Sequence, residues 1–309
     1  MIKVKDIAYV RYQVPDIDAQ AKFMKDFGAR EHHRDNFNLY TASYAGGYPM
    51  HISHKGRTKA LGLGFSVQSL DDLKIIAAAF EKPVCTNEEL GKGWIVTITD
   101  PDGFRIDLLY GGEVVIAEPT RAALQLNNAQ SHLRIGVTNR VPIGTSHIMR
   151  LGHVVLKTVD FKAMMDFYQD TLGFRVSDSY YDSTPENMVG AFLHCDLGER
   201  YTDHHTVALL NLGNSEPEFD HSAFEVLDLD DLVHGNHHLT KDGYKHSWGI
   251  GRHVQGSQIF DYWKDPFGNK VEHWTDGDLV NDQTLTTHEA LSLDALAQWA
   301  PPMSPDFIK

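Results

Sequence analysis

The sequence contains little cysteine, no long apolar run and no excess of basic residues. Its two cysteines, Cys85 and Cys195, lie in different halves of the 309 residues, and nothing in the sequence supports a disulfide between them. So few cysteines fit a reducing compartment. The longest apolar runs are too short to cross a bilayer, and residues 1–6 lack the apolar stretch of a secretory signal. We therefore expect a cytoplasmic protein.

The acidic net charge of the chain limits which kinds of partner the protein is expected to bind. The chain has 28 Lys and Arg against 42 Asp and Glu, a formal net charge of −14 at pH 7. Nucleic acids and anionic membranes both require basic patches on a protein surface, so neither is the expected partner. With 42% hydrophobic and 10% aromatic residues, two domains can each bury an ordinary core, which favours a soluble enzyme acting on a small molecule.

The two halves of the chain repeat one another. In each half a turn built around Asp-Pro and Gly is followed by a short strand, and two further segments match between the halves. The matched pairs are 100–108 with 265–273, 64–73 with 223–232, and 7–10 with 151–154. The spacing between partners varies, which indicates loop insertions, and the pattern predicts an internal duplication.

Within a half, the predicted unit is a strand, a helix and three more strands. The helix is clearest at 160–173, where apolar residues recur at helical spacing, Asp160 can cap the start and Gly173 can end the helix. Further apolar segments at 188–195 and 206–212 predict strands.

Three residues of the C-terminal half form a candidate metal site. His153 and Glu272 each lie in a short apolar strand behind turn signals, and His221 lies in a repeated segment between them. Two imidazoles and one carboxylate leave open positions on a divalent metal, the arrangement of non-haem Fe(II) oxygenases. Their counterparts in the N-terminal half are Tyr9, Gly62 and Asp107, which cannot bind a metal in the same way, so we expect a scaffold role for that half.

The run 251–269, which ends just before Glu272, is similar to the signature of a known family. Residues 4–280 resemble the type I extradiol catechol dioxygenases of the vicinal oxygen chelate superfamily. The resemblance implies an α+β fold of four βαβββ modules, paired into two duplicated domains that are each an incomplete mixed β-barrel with outer helices. It also implies Fe(II), alternatively Mn(II), on His153, His221 and Glu272, with O2 as co-substrate, and a homo-oligomer. The implied reaction opens a catechol ring next to its hydroxyls.

Three more residues match the catalytic groups of that family, namely His205, His253 and Tyr262. We expect Tyr262 and His253 to share hydrogen bonds with the catechol hydroxyls, and His205 to be the acid that acts on the oxygen intermediate. His204 is the alternative to His205, because strand alternation sends the two to opposite faces. Tyr262 could instead be a core aromatic residue.

The substrate pocket is the least determined part of the site. The residues expected to line it are Trp248, Phe192, Met188, Tyr181, Tyr180 and His246. Such an apolar pocket favours an alkyl- or aryl-substituted catechol over one that carries a carboxylate, although Arg252 or His246 could reverse that preference.

The expected domains are 1–112 without a metal site, a linker at 113–147, and a catalytic domain at 148–280. The tail 281–309, with a short helix over Leu291–Trp299, is expected to dock on a domain or a neighbouring subunit. Two other functions remain open. A glyoxalase-like isomerase or lyase would act without O2, and a small-molecule binding module would need no metal.

Overall fold

The computed structural model describes residues 2–122, 124–304 and 307. Two mixed β-sheets with helices packed outside them make up an α+β fold, as the sequence predicted. Within the described ranges, no helix is long and apolar enough to cross a membrane.

The N-terminal sheet has eight strands in the order β2-β3-β4-β1-β5-β8-β7-β6. Its helices are α1 (Ile17–Asp26) and α2 (Leu70–Ala79). Its strands are β1 (Val4–Val14), β2 (Arg30–Arg34), β3 (Asn38–Ala42), β4 (His51–Lys55), β5 (Lys59–Val67), β6 (Cys85–Asn87), β7 (Gly93–Thr99) and β8 (Arg105–Tyr110).

The C-terminal sheet has ten strands in the order β19-β10-β11-β13-β9-β14-β17-β16-β15-β20, and β12 pairs separately with β18. Its helices are α3 (Phe161–Asp166), which continues as a π-helical turn at Phe167–Thr171, and α4 (Leu229–Lys241). The strands are β9 (Ile148–Lys157), β10 (Phe174–Tyr181), β11 (Met188–Cys195), β12 (Thr202–Asp203), β13 (Val207–Leu210), β14 (Glu218–Val226), β15 (Lys245–His253), β16 (Ile259–Lys264), β17 (Lys270–Thr275), β18 (Leu279–Val280), β19 (Thr287–Ala290) and β20 (Ala297–Trp299).

The duplication in the sequence is also a duplication of strand pairing. β1 runs antiparallel to β5, which runs parallel to β8; β9, β14 and β17 repeat that arrangement. In register, Tyr9 and Asp107 both lie opposite Gly64, and His153 and Glu272 both lie opposite Ala223. The repeated segments therefore form the centre of each sheet.

The helix and strands predicted after His153 are confirmed. The Asp160 carboxylate accepts a hydrogen bond from the Ala163 backbone and caps α3. Gly173 ends the helical segment with φ +75°, and a Cβ there would meet the Ile2 carbonyl oxygen at 2.2 Å. The predicted strands at 188–195 and 206–212 are β11 and β13.

The helix predicted over Leu291–Trp299 is wrong. The described tail forms β19, a single 3-10 turn at Leu293–Ala295, and β20. β19 adds parallel to β10 and β20 adds antiparallel to β15. Pairing at two sheet edges satisfies the backbone hydrogen-bonding groups of the tail. A short helix without a continuous apolar stripe would lack the tertiary packing that stabilises a helix.

The main hydrophobic cluster contains residues of both sheets. Phe27, at the end of α1, stacks on His273 of β17 at 3.7 Å between ring centroids and meets Phe224 of β14 edge-on. The His273 Nε2 lies 2.6 Å from the Phe27 carbonyl oxygen. Between β8 and β9 lies the predicted linker, where an isolated bridge joins Val115 to Gly47.

Candidate metal centre

Three adjacent strands at the centre of the C-terminal sheet bring His153, His221 and Glu272 together. His153 of β9 and Glu272 of β17 both lie opposite Ala223 of β14. His221 precedes Ala223 by two residues, and side chains two apart on a strand share a face. One potential ligand atom from each of the three residues lies within 4.8 Å of the others.

The Glu272 carboxylate is the centre of this group. Its Oε2 lies 3.3 Å from the Nε2 of His153 and 3.3 Å from the Nε2 of His221. The side chain is 0% exposed, and neither oxygen has a hydrogen-bond partner of good geometry among the described residues. Burial opposes ionisation, but the two histidines hold the pKa of Glu272 far below its usual range. A buried carboxylate facing two imidazole nitrogens fits a divalent cation.

A second buried carboxylate lies behind His221. The Nδ1 of His221 is 2.6 Å from Asp220 Oδ2, so it donates to that oxygen and leaves Nε2 as the lone pair toward Glu272. Nζ of Lys157 lies 2.9 Å and Nζ of Lys270 lies 3.1 Å from the same carboxylate. Two buried lysine charges thus balance Asp220.

Of the two adjacent histidines, His205 is the one in the cavity. Its ring centroid lies 4.1 Å from that of His153 and 5.0 Å from that of Phe192. His204 turns to the other side, where its Nε2 lies 2.7 Å from Asp178 Oδ2. Burial and the neighbouring histidines hold the pKa of His205 well below its ordinary value, so the ring is neutral.

Tyr262 and His253 form a hydrogen-bonded pair on another wall. His253 Nδ1 donates to the Leu296 carbonyl at 2.8 Å, so its Nε2 is an acceptor, and the Tyr262 hydroxyl lies 2.8 Å from that Nε2. Burial and the nearby Glu272 raise the pKa of Tyr262 well above its usual range. The Tyr262 ring meets His221 edge-on at 5.2 Å.

A cavity of about 410 Å³ opens beside these residues. Tyr262 and the Lys157–Asp220–Lys270 group line it. Four histidines also line it, namely His153, His205, His221 and His253. Its apolar lining includes Val155, Phe192, Leu210, Leu212, Trp248 and Phe307. The space is wide enough for a substituted aromatic ring and its walls are mostly apolar.

The residues expected to line the pocket divide into two groups. Phe192, Trp248 and Tyr180 line the cavity, whereas Met188, Tyr181 and His246 do not. Tyr181 lies beyond a register shift in the β10–β11 pair, opposite Met188, and its ring lies 4.9 Å from His288. His246 and Arg252 instead contact acidic residues, with His246 Nε2 2.7 Å from Asp261 and Arg252 2.8 Å from Asp276.

The residues that sequence reasoning missed include Val155, Lys157, Asp220, Lys270 and Phe307. Strand alternation could have found Val155 and Lys157, because they follow His153 by two and four residues on β9 and so share its face. Asp220 faces the same group because the β9–β14 pair shifts register between Phe219 and His221.

The corresponding place in the N-terminal half holds arginine side chains. The Asp107 carboxylate accepts hydrogen bonds from Tyr9 at 2.8 Å, Arg11 at 3.3 Å and Arg105 at 2.8 Å. A Cβ on Gly62 would meet the Arg105 carbonyl oxygen at 1.9 Å, so a His221-like side chain has no room. Guanidinium groups thus neutralise the carboxylate in this half.

Comparison with known proteins finds a matching family model in the C-terminal half and similar proteins along most of the chain. Residues 150–273 match the family model of the Glyoxalase/Bleomycin resistance protein/Dioxygenase superfamily. The chain is 27% identical over 308 residues to metapyrocatechase 2 of Cupriavidus necator, covering 99% of this chain and 92% of that protein. It is 27% identical over 212 residues to an iron-dependent extradiol dioxygenase of Rhodococcus jostii, covering 64% of this chain and 61% of that protein.

Solved structures share the fold over the whole chain. Homoprotocatechuate 2,3-dioxygenase from Brevibacterium fuscum has a TM-score of 0.80 at 18% identity, covering 99% of this chain and 92% of that one. The Mn(II)-bound glyoxalase from Novosphingobium aromaticivorans has a TM-score of 0.78 at 22% identity, covering 100% and 98%.

Proposed function

We propose that this chain opens the ring of a substituted catechol next to its hydroxyls with Fe(II) and O2. The chain is similar to the type I extradiol dioxygenases of the vicinal oxygen chelate superfamily. The observation that carries the proposal is the cavity itself. His153 and His221 line it together with His205, His253 and Tyr262, and both imidazoles face the buried Glu272 carboxylate.

His153, His221 and Glu272 would hold the metal, with Fe(II) as the ion and Mn(II) as the alternative. With these three protein ligands, a divalent ion would supply open positions for a catechol and for O2. The Asp220 hydrogen bond fixes the His221 ring with Nε2 toward the Glu272 carboxylate, where it would bind the metal.

Tyr262 and His253 orient the catechol. Since the Tyr262 hydroxyl donates to His253 Nε2, its oxygen keeps lone pairs that can accept a hydrogen bond from a catechol hydroxyl. The raised pKa of Tyr262 keeps the phenol protonated while it does so.

His205 is the group that moves a proton. It lies against His153, whereas Tyr262 lies against His221, and the burial of His205 excludes bulk water from the exchange. A neutral His205 must gain a proton before it can give one to the oxygen side of the reaction. General acid–base groups of this kind contribute about 10²–10⁴-fold to the rate.

The substrate is a catechol with an alkyl or aryl substituent. Apolar side chains cover most of the cavity wall, and the nearby lysine charges are matched by Asp220 and by Glu218, which lies 3.1 Å from Lys157. A carboxylate substituent would have to compete with those acidic residues, while an apolar substituent gains about 25 cal/mol per Å² buried.

The test is oxygen uptake by protein loaded anaerobically with Fe(II). Catechol, alkyl- and aryl-catechols and a carboxylated catechol are added in turn, while dissolved O2 and visible absorbance are recorded. Uptake that ranks apolar catechols first, with a yellow ring-opened product, is the expected result. Metal-loaded protein that consumes no O2 with any catechol points to an isomerase or lyase, and protein that binds no metal points to a binding module.

A further inference from the structure

We propose that Asp178 and His204 are positioning residues that fix the ring orientation and the tautomer of His205, so that His205 presents an unprotonated Nε2 to the cavity. The inference rests on the proposed function for its kinetic consequence alone. Its structural basis is a continuous line of hydrogen bonds that runs from Thr287 in the C-terminal tail through Asp178 and His204 to His205, whose ring lies against the metal ligand His153.

The line begins at Asp178, which the tail holds in place. One carboxylate oxygen, Oδ1, accepts hydrogen bonds from the backbone N and from Oγ1 of Thr287, both at 2.7 Å. The other oxygen, Oδ2, lies 2.7 Å from His204 Nε2. Burial opposes ionisation, but the bonds from His204 and Thr287 hold the pKa of Asp178 below its ordinary value. An ionised carboxylate can only accept, so His204 Nε2 carries the hydrogen.

The next step follows from the chemistry of a neutral imidazole, in which one nitrogen donates and the other accepts. Because Nε2 of His204 donates to Asp178, its Nδ1 is the acceptor. That Nδ1 lies 3.1 Å from Nδ1 of His205, with the two rings nearly perpendicular at 87°. Nδ1 of His205 is therefore the donor, which leaves Nε2 as a lone pair.

The free nitrogen of His205 faces the reaction space. The ring lines the cavity and lies against His153, and Nε2 has no hydrogen-bond partner among the described residues. A lone pair there accepts a proton from a substrate hydroxyl as the O–H bond breaks and the N–H bond forms. The resulting positive charge is balanced through His204 by Asp178. Neither residue touches the substrate, so their role is positioning.

The test uses Asp178→Asn, which keeps the size of the side chain. The two donors of Thr287 hold the amide oxygen, so the amide NH2 faces His204 Nε2 and forces that nitrogen to accept. His204 Nδ1 must then donate, and His205 carries its hydrogen on Nε2 instead. We expect kcat to fall by about 10²–10⁴-fold, with KM and metal content within about threefold, since the metal ligands are unchanged.

A spectroscopic readout makes the test independent of activity. In ¹⁵N-histidine-labelled protein loaded with diamagnetic Zn(II), the nitrogen shifts of His205 distinguish the two tautomers, and His205→Phe assigns its signals. We expect a hydrogen on Nδ1 in the wild-type protein and on Nε2 in Asp178→Asn.

Ser179→Ala is the matched control. Ser179 follows Asp178 on β10, and its hydroxyl contacts His288 of the tail at 2.8 Å without touching His204. If loosening of the tail were the cause, Ser179→Ala would slow turnover as well; we expect its kcat within about threefold of the wild type. A hydrogen on Nε2 of wild-type His205, or an unchanged tautomer in Asp178→Asn, would overturn the proposal. Lack of O2 uptake by the wild type would instead remove the proposed function and leave the tautomer measurement standing.

Discussion

Replacing Asp220 by Asn removes the carboxylate that lies between the metal ligand His221 and two buried lysines. In the wild-type protein this carboxylate lies 2.6 Å from His221 Nδ1, 2.9 Å from Lys157 Nζ and 3.1 Å from Lys270 Nζ. Burial opposes its ionisation, but His221 and the lysine charges hold the pKa of Asp220 far below its usual range. The substitution therefore exchanges a full negative charge for a neutral group of the same shape.

Two free energies change, and they can be separated. Lys270 has a side chain that is 7% exposed and depends on Asp220 for its ion pair, and breaking a buried pair costs about 3–5 kcal/mol of folding stability. Loss of the carboxylate behind a ligand histidine weakens metal binding by about 10–100-fold, which corresponds to about 1.4–2.8 kcal/mol.

Chemical unfolding of metal-free protein measures the first effect, and titration with Mn(II) or Zn(II) against a competing chelator measures the second. The double variant Asp220→Asn/Lys270→Met removes the unpaired ammonium, so we expect unfolding free energy to recover while metal affinity stays weak. Lys270→Met alone keeps Asp220 on His221 and should retain its metal affinity. Wild-type affinity in Asp220→Asn, or affinity that returns in the double variant, would refute a direct role of Asp220 at the metal.

Three further predictions concern other parts of the molecule. Glu272→Ala should lose metal and turnover together, whereas Asp107→Asn, at the counterpart position, should keep its metal content; metal analysis of both proteins decides, and stoichiometric iron in Glu272→Ala would exclude Glu272 as a ligand. Tyr262→Phe should keep its metal but raise KM and lower kcat, because the catechol loses its hydrogen-bond acceptor; unchanged steady-state kinetics would assign Tyr262 to packing alone. Burial raises the pKa of Asp100 to about 7, above the value of about 3.9 in an unfolded chain. The folded protein thus binds this proton more tightly than the unfolded chain and loses stability as pH rises from about 4 to about 7. Asp100→Asn should therefore raise Tm more at pH 8 than at pH 5. An equal shift of Tm at both pH values would contradict this.

Much of the fold and the metal-ligand group follows from sequence because both depend on local rules. The repeated turn-and-strand segments form the central strands of the two sheets. Strand pairing places His153 and Glu272 opposite Ala223, and the period of two places His221 on the same face as Ala223.

The other parts of the site and the fold of the tail depend on contacts between segments that are distant in the sequence. The sequence favours His205 over His204 through the family resemblance, but the physical reason, the contact of His204 with Asp178 on another strand, is visible only in the structure. Tyr181 and Met188 lie beyond a register shift that no single-strand pattern reveals. The helix prediction for the tail was wrong because the backbone of the tail pairs with the sheet edges at β10 and β15.

Mass spectrometry of the product formed under ¹⁸O2 tests the proposed chemistry most directly. Protein loaded with Fe(II) and given its best catechol should yield a ring-opened product that carries two ¹⁸O atoms, at one O2 consumed per catechol. A product that forms without O2, or that carries no ¹⁸O, would contradict extradiol cleavage and assign this site to an isomerase or lyase.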